Sequence, residues 1–225
     1  MNELYANIAQ AATQFGAQKV VLFGSRARGD FQPRSDVDLA VFGMPKENEA
    51  AFRNAVEDLP TLLAFDVVFV GPGTSPALLE NIKKDGIPLM DKRKEKAANL
   101  QAAVERLKQA IAEYTAHQYE SMRDGAIQRF EFCAELAWKA LREYLLEQGY
   151  TEVNSPKSVM KQAYADGILS DDAAWLQMMQ DRNITSHLYD EAAANAIYQK
   201  IEESYCAMLT QLAARLNQGF MDQNT

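Results

Sequence analysis

The chain has 225 residues, of which 48% are hydrophobic and 24% are charged. These proportions are those of a soluble globular protein and exclude a disordered one, and the length allows two compact domains. The net charge of −8 excludes a broad nucleic-acid-binding surface, so any contact with RNA must be confined to a small site. Because neither a signal-peptide pattern nor a bilayer-length apolar run is present, we expect a cytoplasmic protein with no membrane partner.

Short apolar runs alternate with helical patterns from the N-terminus to about residue 90. The predicted elements in chain order are a helix over residues 2–15, strands over 19–23 and 37–42, a helix over 46–59, a strand over 66–70 and a helix over 76–85. We therefore predict an N-terminal α+β domain with a mixed sheet, occupying residues 1–92.

Two aspartates alternate at the start of the second predicted strand. Asp36 and Asp38 project from one face of that strand, with Val37 between them on the other face. Two carboxylates this close repel each other unless a cation lies between them, and hard oxygen ligands of this kind suit Mg²⁺. A third acid, Asp66, opens the next apolar run, where a charge has no packing role. Three such carboxylates could hold two Mg²⁺ ions against a nucleoside triphosphate.

A family resemblance lies in the sequence GSRARGD at residues 24–30, followed by SDVD at residues 35–38. This pattern resembles the signature of the minimal nucleotidyltransferases of the DNA polymerase β superfamily, and the resemblance covers about residues 1–90. It implies a transfer of AMP from ATP, with Gly24, Ser25 and Arg26 as nucleotide-binding residues. It also implies that Asp36 and Asp38 are ligands of both Mg²⁺ ions. Asp66 would be the third ligand and would help to activate the attacking hydroxyl.

The same residues allow a purely structural interpretation. Gly24-Ser25 would then only cap a helix, and Asp36 and Asp38 would be solvated residues at a strand end. That interpretation does not explain why both carboxylates share one face of an otherwise apolar strand.

The second part of the sequence has no predicted strand. After the charged run DKRKEK at residues 91–96, glycine and proline become scarce, and apolar residues recur every three or four positions. Helices are predicted over about residues 96–120, 127–148 and 191–217, with two shorter ones beginning after the capping residues Ser155 and Ser170. We therefore predict an all-α bundle of four or five helices over residues 93–225.

One segment of this bundle departs from helical packing. Arg182 shares an azimuth with Trp175, so a guanidinium that requires a partner lies on an apolar stripe. His187 would lie about 140° away from Arg182 on an ideal helix. A break in the helix is therefore expected between them, with Asp190 capping the last helix. The structural alternative is a helix terminus with a satisfied arginine and a cationic histidine near the negative end of the dipole.

The sequence RNITSHLY at residues 182–189 supplies a second resemblance. It matches the Arg-x4-His-x-Tyr motif of HEPN domains and is similar to the nucleotidyltransferase substrate-binding family, over about residues 98–217. The resemblance implies a metal-independent ribonuclease site with Arg182 and His187, RNA as a partner, and a homodimer formed through the helical domain. The two families are usually encoded as adjacent partners, and related pairs behave as toxin and antitoxin. Here one chain carries both.

Three functions from different classes remain open. The first is a Mg²⁺-dependent nucleotidyltransferase that moves AMP from ATP to a hydroxyl, with Tyr189 of its own helical domain as one candidate acceptor. The second is a ribonuclease in which His187 acts as acid or base and Arg182 stabilises the developing charge. The third is a small-molecule nucleotidyltransferase whose helical domain only binds the substrate and dimerises. Resemblance to two-chain systems further implies that AMP on Tyr189 would block RNA at the motif.

Overall fold

The computed structural model describes residues 3–148, 150, 152–185 and 190–218. The chain divides into two units, Met1–Lys92 and Arg93–Thr225. Over the described ranges, no helix is both long enough and apolar enough to span a membrane.

A four-stranded sheet organises the first unit. Its elements in chain order are α1 (Glu3–Gln14), β1 (Lys19–Phe23), α2 (Gly24–Arg28), β2 (Val37–Phe42), a 3₁₀ turn (Lys46–Asn48), α3 (Glu49–Glu57), β3 (Phe65–Val70), α4 (Pro76–Asp85) and β4 (Ile87–Asp91). The strand order is β3-β2-β1-β4. β2 and β3 run parallel, whereas β1 is antiparallel to both of its neighbours. The sheet is therefore mixed, and the predicted α+β class is confirmed.

Two elements of this unit lie outside the sequence prediction. The short helix α2 directly follows β1, where only the purely structural interpretation of Gly24-Ser25 anticipates a helix. The strand β4 contains Pro88, and a proline is unfavourable inside a sheet because it has no amide hydrogen. β4 tolerates it because β4 is an edge strand, and its pairing with β1 is irregular between Val20 and Val21.

Helices cover both faces of the sheet. On one face, Leu39 of β2 packs in a core with Phe52 of α3. On the other face, Ala40 packs with Ile82 of α4. A fully buried leucine or phenylalanine contributes about 1.5–3 kcal/mol, so these contacts fix which face of β2 is which. Because side chains alternate along a strand, Asp38 then projects on the face that α4 covers.

The second unit is helical throughout the residues that the structure describes. Its elements are α5 (Lys92–His117), α6 (Glu120–Glu147), α7 (Pro156–Ala165), α8 (Asp172–Thr185), α9 (Glu191–Lys200), a π-helical segment (Ile201–Tyr205) and α10 (Cys206–Gln218). The last three follow one another without a gap and together form the single last helix that the periodicity predicts. Counted in this way, five helices form the described bundle, as predicted. They share one core, which includes Leu107, Phe130, Met160, Met178 and Leu212.

Polar side chains define where these helices begin. Ser155 caps α7, accepting from the Ser158 amide at 3.2 Å in a reciprocal capping box. At α8 the cap is Asp171, whose Oδ1 accepts from the Ala174 amide at 3.0 Å. The prediction that Ser170 caps this helix is therefore wrong by one residue, because the carboxylate is the one within reach of the third helical amide.

Candidate functional site

The turn after β1 brings the backbone against a carboxylate of β2. Phe23 lies opposite Asp38 in the antiparallel pair, so the next residue, Gly24, passes over the Asp38 side chain. A Cβ at residue 24 would overlap the Asp38 carboxylate. Gly24 also has a φ of +70°, the left-handed region that residues with a side chain rarely adopt. Both observations require glycine here, and the first ties it to Asp38.

Three predicted metal ligands lie at one end of two adjacent strands. Asp38 and Asp66 are direct partners in the parallel register of β2 and β3, so their side chains share a face of the sheet. Asp36 precedes β2 and is separated from Asp38 by Val37, which is fully buried on the other face. Asp36 and Asp66 are exposed, and Asp38 is partly buried.

The charges around Asp38 favour a cation. Burial raises the pKa of the Asp38 carboxyl above its usual value, and the negative charges of Asp66 and Asp36 raise it further. The guanidinium groups of Arg28 and Arg26 act more weakly in the opposite direction. Carboxylate oxygens are the donors that Mg²⁺ prefers. The residues at this strand end therefore fit a divalent metal ion, and the three aspartates are the ones that would hold it.

The carboxylates do not form a closed cage. Across the described residues, no three His, Cys, Asp or Glu side chains are gathered closely enough to enclose a metal ion. Mutual repulsion among Asp36, Asp38 and Asp66 favours such spacing. Their predicted binding of two Mg²⁺ ions stays a prediction.

Arg26 holds the loop between α2 and β2. Its Nε donates to the carbonyl oxygens of Ser35 at 2.9 Å and Asp36 at 3.1 Å, and its Nη2 donates to that of Ser35 at 2.7 Å. The guanidinium also lies over the Phe31 ring, 4.9 Å from its centroid. These contacts fix the segment that leads into β2 and thereby position Asp36. The predicted contact of Arg26 with a nucleotide stays a prediction, as do those of Gly24 and Ser25.

In the helical unit, Arg182 finds the partner that its apolar stripe requires. Its Nη2 lies 3.3 Å from Oε2 of Glu135 on α6, and its side chain is 36% exposed. Lys139 lies 2.8 Å from the same carboxylate. Burial by itself would raise the pKa of Glu135, but Lys139 and Arg182 are among the groups that hold it below its usual value. Glu135 is not predicted from the sequence, because the pairing joins two helices that are far apart in the chain.

His187 and Tyr189 lie outside the described residues, so their predicted roles stay predictions. On one side of the segment 186–189, α8 ends at Thr185, whose Oγ1 donates to the Arg182 carbonyl oxygen at 2.6 Å. On the other side, the Asp190 carboxylate accepts from the Ala193 amide at 3.2 Å. The predicted cap of the last helix by Asp190 is confirmed.

A cleft of about 790 Å³ reaches the residues on both sides of that segment, Thr185 and Asp190. Its lining carries five carboxylates, those of Glu120, Asp124, Glu131, Asp190 and Glu191. Among the lining residues the cation is Arg123, which is buried and donates to Asn195 Oδ1 at 2.8 Å and to Asp124 Oδ1 at 3.1 Å. The cleft is therefore acidic, and its volume lies in the usual range of small-molecule sites.

A buried polar network precedes Arg182 by one residue. Asp181 is 3% exposed and accepts from the Tyr205 hydroxyl at 2.6 Å, from Lys200 Nζ at 2.8 Å and from Gln177 Nε2 at 2.9 Å. Burial acts to raise the pKa of Asp181, but these three hydrogen bonds outweigh it and hold the pKa below its usual value. The network joins α8 to the last helix next to its π-helical turn. Its sequence signal is weak: Asp181 follows the buried Met178 by three residues, which places the acid on the buried side of α8.

Two family models match this chain. Residues 7–95 match the polymerase beta nucleotidyltransferase model. Residues 95–218, more than half of the chain, match the model described as nucleotidyltransferase substrate binding protein like. The chain belongs to the nucleotidyltransferase substrate-binding-like family. It joins that domain to an N-terminal nucleotidyltransferase domain, which confirms both predicted resemblances.

Several known proteins are similar to parts of the chain. The probable ribonuclease HepT of Haemophilus influenzae is 34% identical over 83 residues, which are 35% of this chain and 57% of that relative. A solved structure from Thermus thermophilus is 36% identical and covers 52% of this chain and 98% of its own, with a TM-score of 0.48. A Haemophilus influenzae structure is 27% identical, covering 54% and 99%, with a TM-score of 0.49. It is described as revealing the fold of a substrate binding domain of a nucleotidyltransferase.

Proposed function

We propose that this protein is a Mg²⁺-dependent adenylyltransferase that moves AMP from ATP to a hydroxyl group. The observation that carries the proposal is the setting of Asp38. This carboxylate is the register partner of Asp66 and is repelled by the charge of Asp36. It also lies so close to Gly24 that a Cβ there would overlap it. The family match over residues 7–95 supports nucleotidyl transfer, and the hard oxygen donors support Mg²⁺.

The transfer assigns a task to each of these residues. The acceptor oxygen attacks the α-phosphorus of ATP, the bond to the β-phosphate oxygen breaks, and pyrophosphate leaves. The exposed carboxylate of Asp66 takes the proton from the acceptor hydroxyl. Asp36 and Asp38 would hold Mg²⁺, which when bound neutralises charge on the phosphate oxygens. Gly24, which lacks a side chain, allows the triphosphate to approach the backbone, and the Ser25 hydroxyl donates to it.

Removing two of the three carboxylates tests this proposal. Purified protein is incubated with ATP and Mg²⁺, and pyrophosphate release and intact mass are measured. Asp36→Asn combined with Asp38→Asn is expected to abolish pyrophosphate release and any gain of AMP. Glu57→Gln combined with Asp58→Asn changes the charge equally, outside the site, and should retain activity. Transfer by the Asp36/Asp38 variant at the level of the unmodified chain would overturn the proposal.

Tyr189 is the acceptor that we propose within the chain itself. A phenol has a pKa of about 10, so it requires a base such as Asp66 to become a nucleophile at neutral pH. Fusion of the two domains in one chain gives the acceptor a high effective concentration. AMP on Tyr189 would add negative charge to the motif that also contains Arg182, and would repel an RNA phosphate. If Tyr189→Phe gains AMP as readily as the unmodified chain, the acceptor lies elsewhere.

A ribonuclease in the helical domain is the second candidate. The similarity to a probable ribonuclease over 83 residues favours it. The RNA 2′-oxygen would attack the neighbouring phosphorus as His187 takes the proton of the 2′-hydroxyl, and the bond to the 5′-oxygen would break to release a 5′-hydroxyl. Arg182 would stabilise the charge that develops on the phosphate. Chain without AMP should then cleave RNA, and Arg182→Ala and His187→Ala should each remove the cleavage.

A homodimer formed through residues 98–217 would bring two copies of this pair together. A monomer in light scattering at micromolar concentration would contradict that assembly.

The acidic cleft favours a third candidate, in which the helical domain binds a small substrate. Five carboxylates around a cleft of about 790 Å³ suit a cationic compound that carries a hydroxyl. In that case the AMP label would appear on the small molecule and not on the protein. Mass analysis of both fractions after the reaction with ATP separates this candidate from transfer to Tyr189.

A further inference from the structure

A second cleft, of about 440 Å³, lies between α5 and α6. Its lining includes Arg106 of α5 and Arg129, Phe132 and Glu135 of α6. The Phe132 ring is 57% exposed, although α6 has a deep apolar core to face on its other side. The cleft therefore combines two arginines with an aromatic side chain that is open to solvent.

The positive charge of this cleft is not cancelled locally. Within the described part of the chain, neither Arg106 nor Arg129 has an ion-pair partner. Glu135 is the carboxylate in the lining, and it is already paired with Lys139 at 2.8 Å and Arg182 at 3.3 Å. On a chain with a net charge of −8, two unpaired guanidinium groups in one cleft indicate an anionic ligand.

We propose that this cleft binds single-stranded RNA, with Arg106 and Arg129 on phosphates and one base stacked on Phe132. The inference rests on the second candidate function, in which the helical domain acts on RNA. A cationic groove with an aromatic platform is the arrangement by which proteins hold single-stranded nucleic acids. Arginine suits the phosphates, because its guanidinium forms paired hydrogen bonds with phosphate oxygens.

The position of the cleft supports RNA over a separate small ligand. Glu135 lines the cleft and at the same time pairs with Arg182 of the proposed ribonuclease motif. A strand bound at Arg106 and Arg129 can thus continue toward Arg182, and the pairing of Glu135 limits its repulsion of phosphate. The larger cleft has five carboxylates and repels a phosphate backbone. Charge therefore selects the smaller cleft as the place where RNA is held.

Fluorescence anisotropy with a labelled single-stranded RNA of about 12 nucleotides tests the proposal. The full chain carries His187→Ala to prevent cleavage, and ATP and Mg²⁺ are left out. Phe132→Ala should weaken binding about 5- to 100-fold, and Phe132→Trp should restore it. Arg106→Ala and Arg129→Ala should each weaken binding and lower the slope of log affinity against log salt by about 0.7.

Matched controls lie on α7. Lys161 and Tyr164 are exposed there, outside the lining of both clefts, so Lys161→Ala and Tyr164→Ala should leave the affinity and the salt slope unchanged. Equal binding by the cleft variants and these controls would overturn the proposal. The proposal would also be overturned, in favour of a nucleotide site, if free AMP or ATP displaced the labelled RNA at the same concentration as unlabelled RNA does. If the cleft variants changed the oligomeric state but bound RNA as the unmodified chain does, the proposal would likewise be overturned.

The outcome can be separated from that of the proposed functions. RNA cleavage by the unmodified chain, lost in Arg182→Ala but unaffected by Phe132→Ala and Arg106→Ala, would retain the ribonuclease and reject this cleft. Absence of both RNA binding and cleavage would reject the cleft and the ribonuclease together. AMP transfer, measured on its own by intact mass, is independent of either result.

Discussion

Two aspartates, one in each unit, have opposite electrostatic settings: Asp38 belongs to the proposed metal site, and Asp181 precedes Arg182 of the proposed ribonuclease motif. Asp181 in the helical unit receives three hydrogen bonds, and the pKa of its carboxyl is held below the usual value. Asp38 in the first unit is surrounded by the charges of Asp66 and Asp36, and burial together with these charges raises its pKa. The Asp181 carboxylate is thus surrounded by hydrogen-bond donors, whereas the Asp38 carboxylate is repelled by neighbouring negative charges.

The difference supports a structural role for Asp181 and agrees with the ligand-binding role that we propose for Asp38. A satisfied buried carboxylate stabilises the fold and holds the helix from which Arg182 projects. A carboxylate placed against like charges reduces stability, and a protein retains such an arrangement where a bound cation reverses the balance. The variants below test this contrast, beginning with the largest expected effect.

Gly24→Ala should cause the largest loss. The added Cβ would overlap the Asp38 carboxylate and displace it, so we expect ATP turnover to fall about 100-fold or more. Gly29→Ala is a matched control, because Gly29 also has a positive φ, +83°, but nothing lies within 4 Å of its added Cβ. Both variants should lose about 1–2 kcal/mol of stability from backbone strain. Equal loss of turnover in the two variants would show that the contact with Asp38 is unimportant.

Asp181→Asn should destabilise the helical unit by about 2 kcal/mol, because it removes the negative charge to which Lys200 and Tyr205 donate hydrogen bonds. Trp138 and Trp175, the two tryptophans of the chain, both lie in this unit, so urea unfolding followed by tryptophan fluorescence reports on it alone. The lowered pKa gives a pH dependence. Its stabilisation is fully present above an unfolded-state pKa of about 3.9 and is lost as pH falls through the folded-state pKa. The difference between variant and unmodified chain should therefore stay constant down to about pH 5 and shrink as the pH falls below about 4.

The two aspartates also differ in how far the sequence predicts them. Asp38 follows from local pattern, because strand alternation places Asp36 and Asp38 on one face and the GSRARGD stretch supplies the turn. The strands 19–23 and 37–42 and the helix 76–85 are likewise local and are confirmed at the predicted bounds.

Other features depend on contacts between distant segments. The partners of Asp181 on the last helix lie 19 and 24 residues away, and Glu135 lies on a different helix from Arg182. No periodicity in the sequence specifies such pairs. The strand β4 is missed for a different reason, because Pro88 is compatible with an edge strand only once the strand order is known. The contacts of Arg26 with the carbonyl oxygens of Ser35 and Asp36 are also not predictable from the sequence, because they exist only once the loop has folded back over Arg26.

Tyr205→Phe should cost about 1–2 kcal/mol in the same tryptophan-detected unfolding. The variant removes the hydroxyl that donates to Asp181 at 2.6 Å but keeps the ring that stacks on Phe130 at 5.4 Å. Tyr198→Phe is the control, because the contact of that hydroxyl with Glu202 is long, at 3.4 Å. We expect it to change stability by less than about 0.5 kcal/mol. Equal effects of the two substitutions would show that the Asp181 network is not what joins α8 to the last helix.

Asp38→Asn should have the smallest effect on stability, and it should have the opposite sign to Asp181→Asn. The amide keeps the shape of the side chain but removes the burial of a charge and its repulsion by Asp66 and Asp36. Without divalent cations, we expect the first unit to gain roughly 0.5 kcal/mol, which raises its unfolding temperature by about 2–4 °C. Amide hydrogen exchange of peptides from β1, β2 and β3 separates this unit from the helical one.

Asp58→Asn, which removes an exposed charge of the same unit, should leave exchange unchanged. Addition of Mg²⁺ should slow exchange in the unmodified chain and in Asp58→Asn, and should have little effect on Asp38→Asn. A loss of stability in Asp38→Asn without metal would show that Asp38 is a structural carboxylate like Asp181, and the contrast between the two units would then fail.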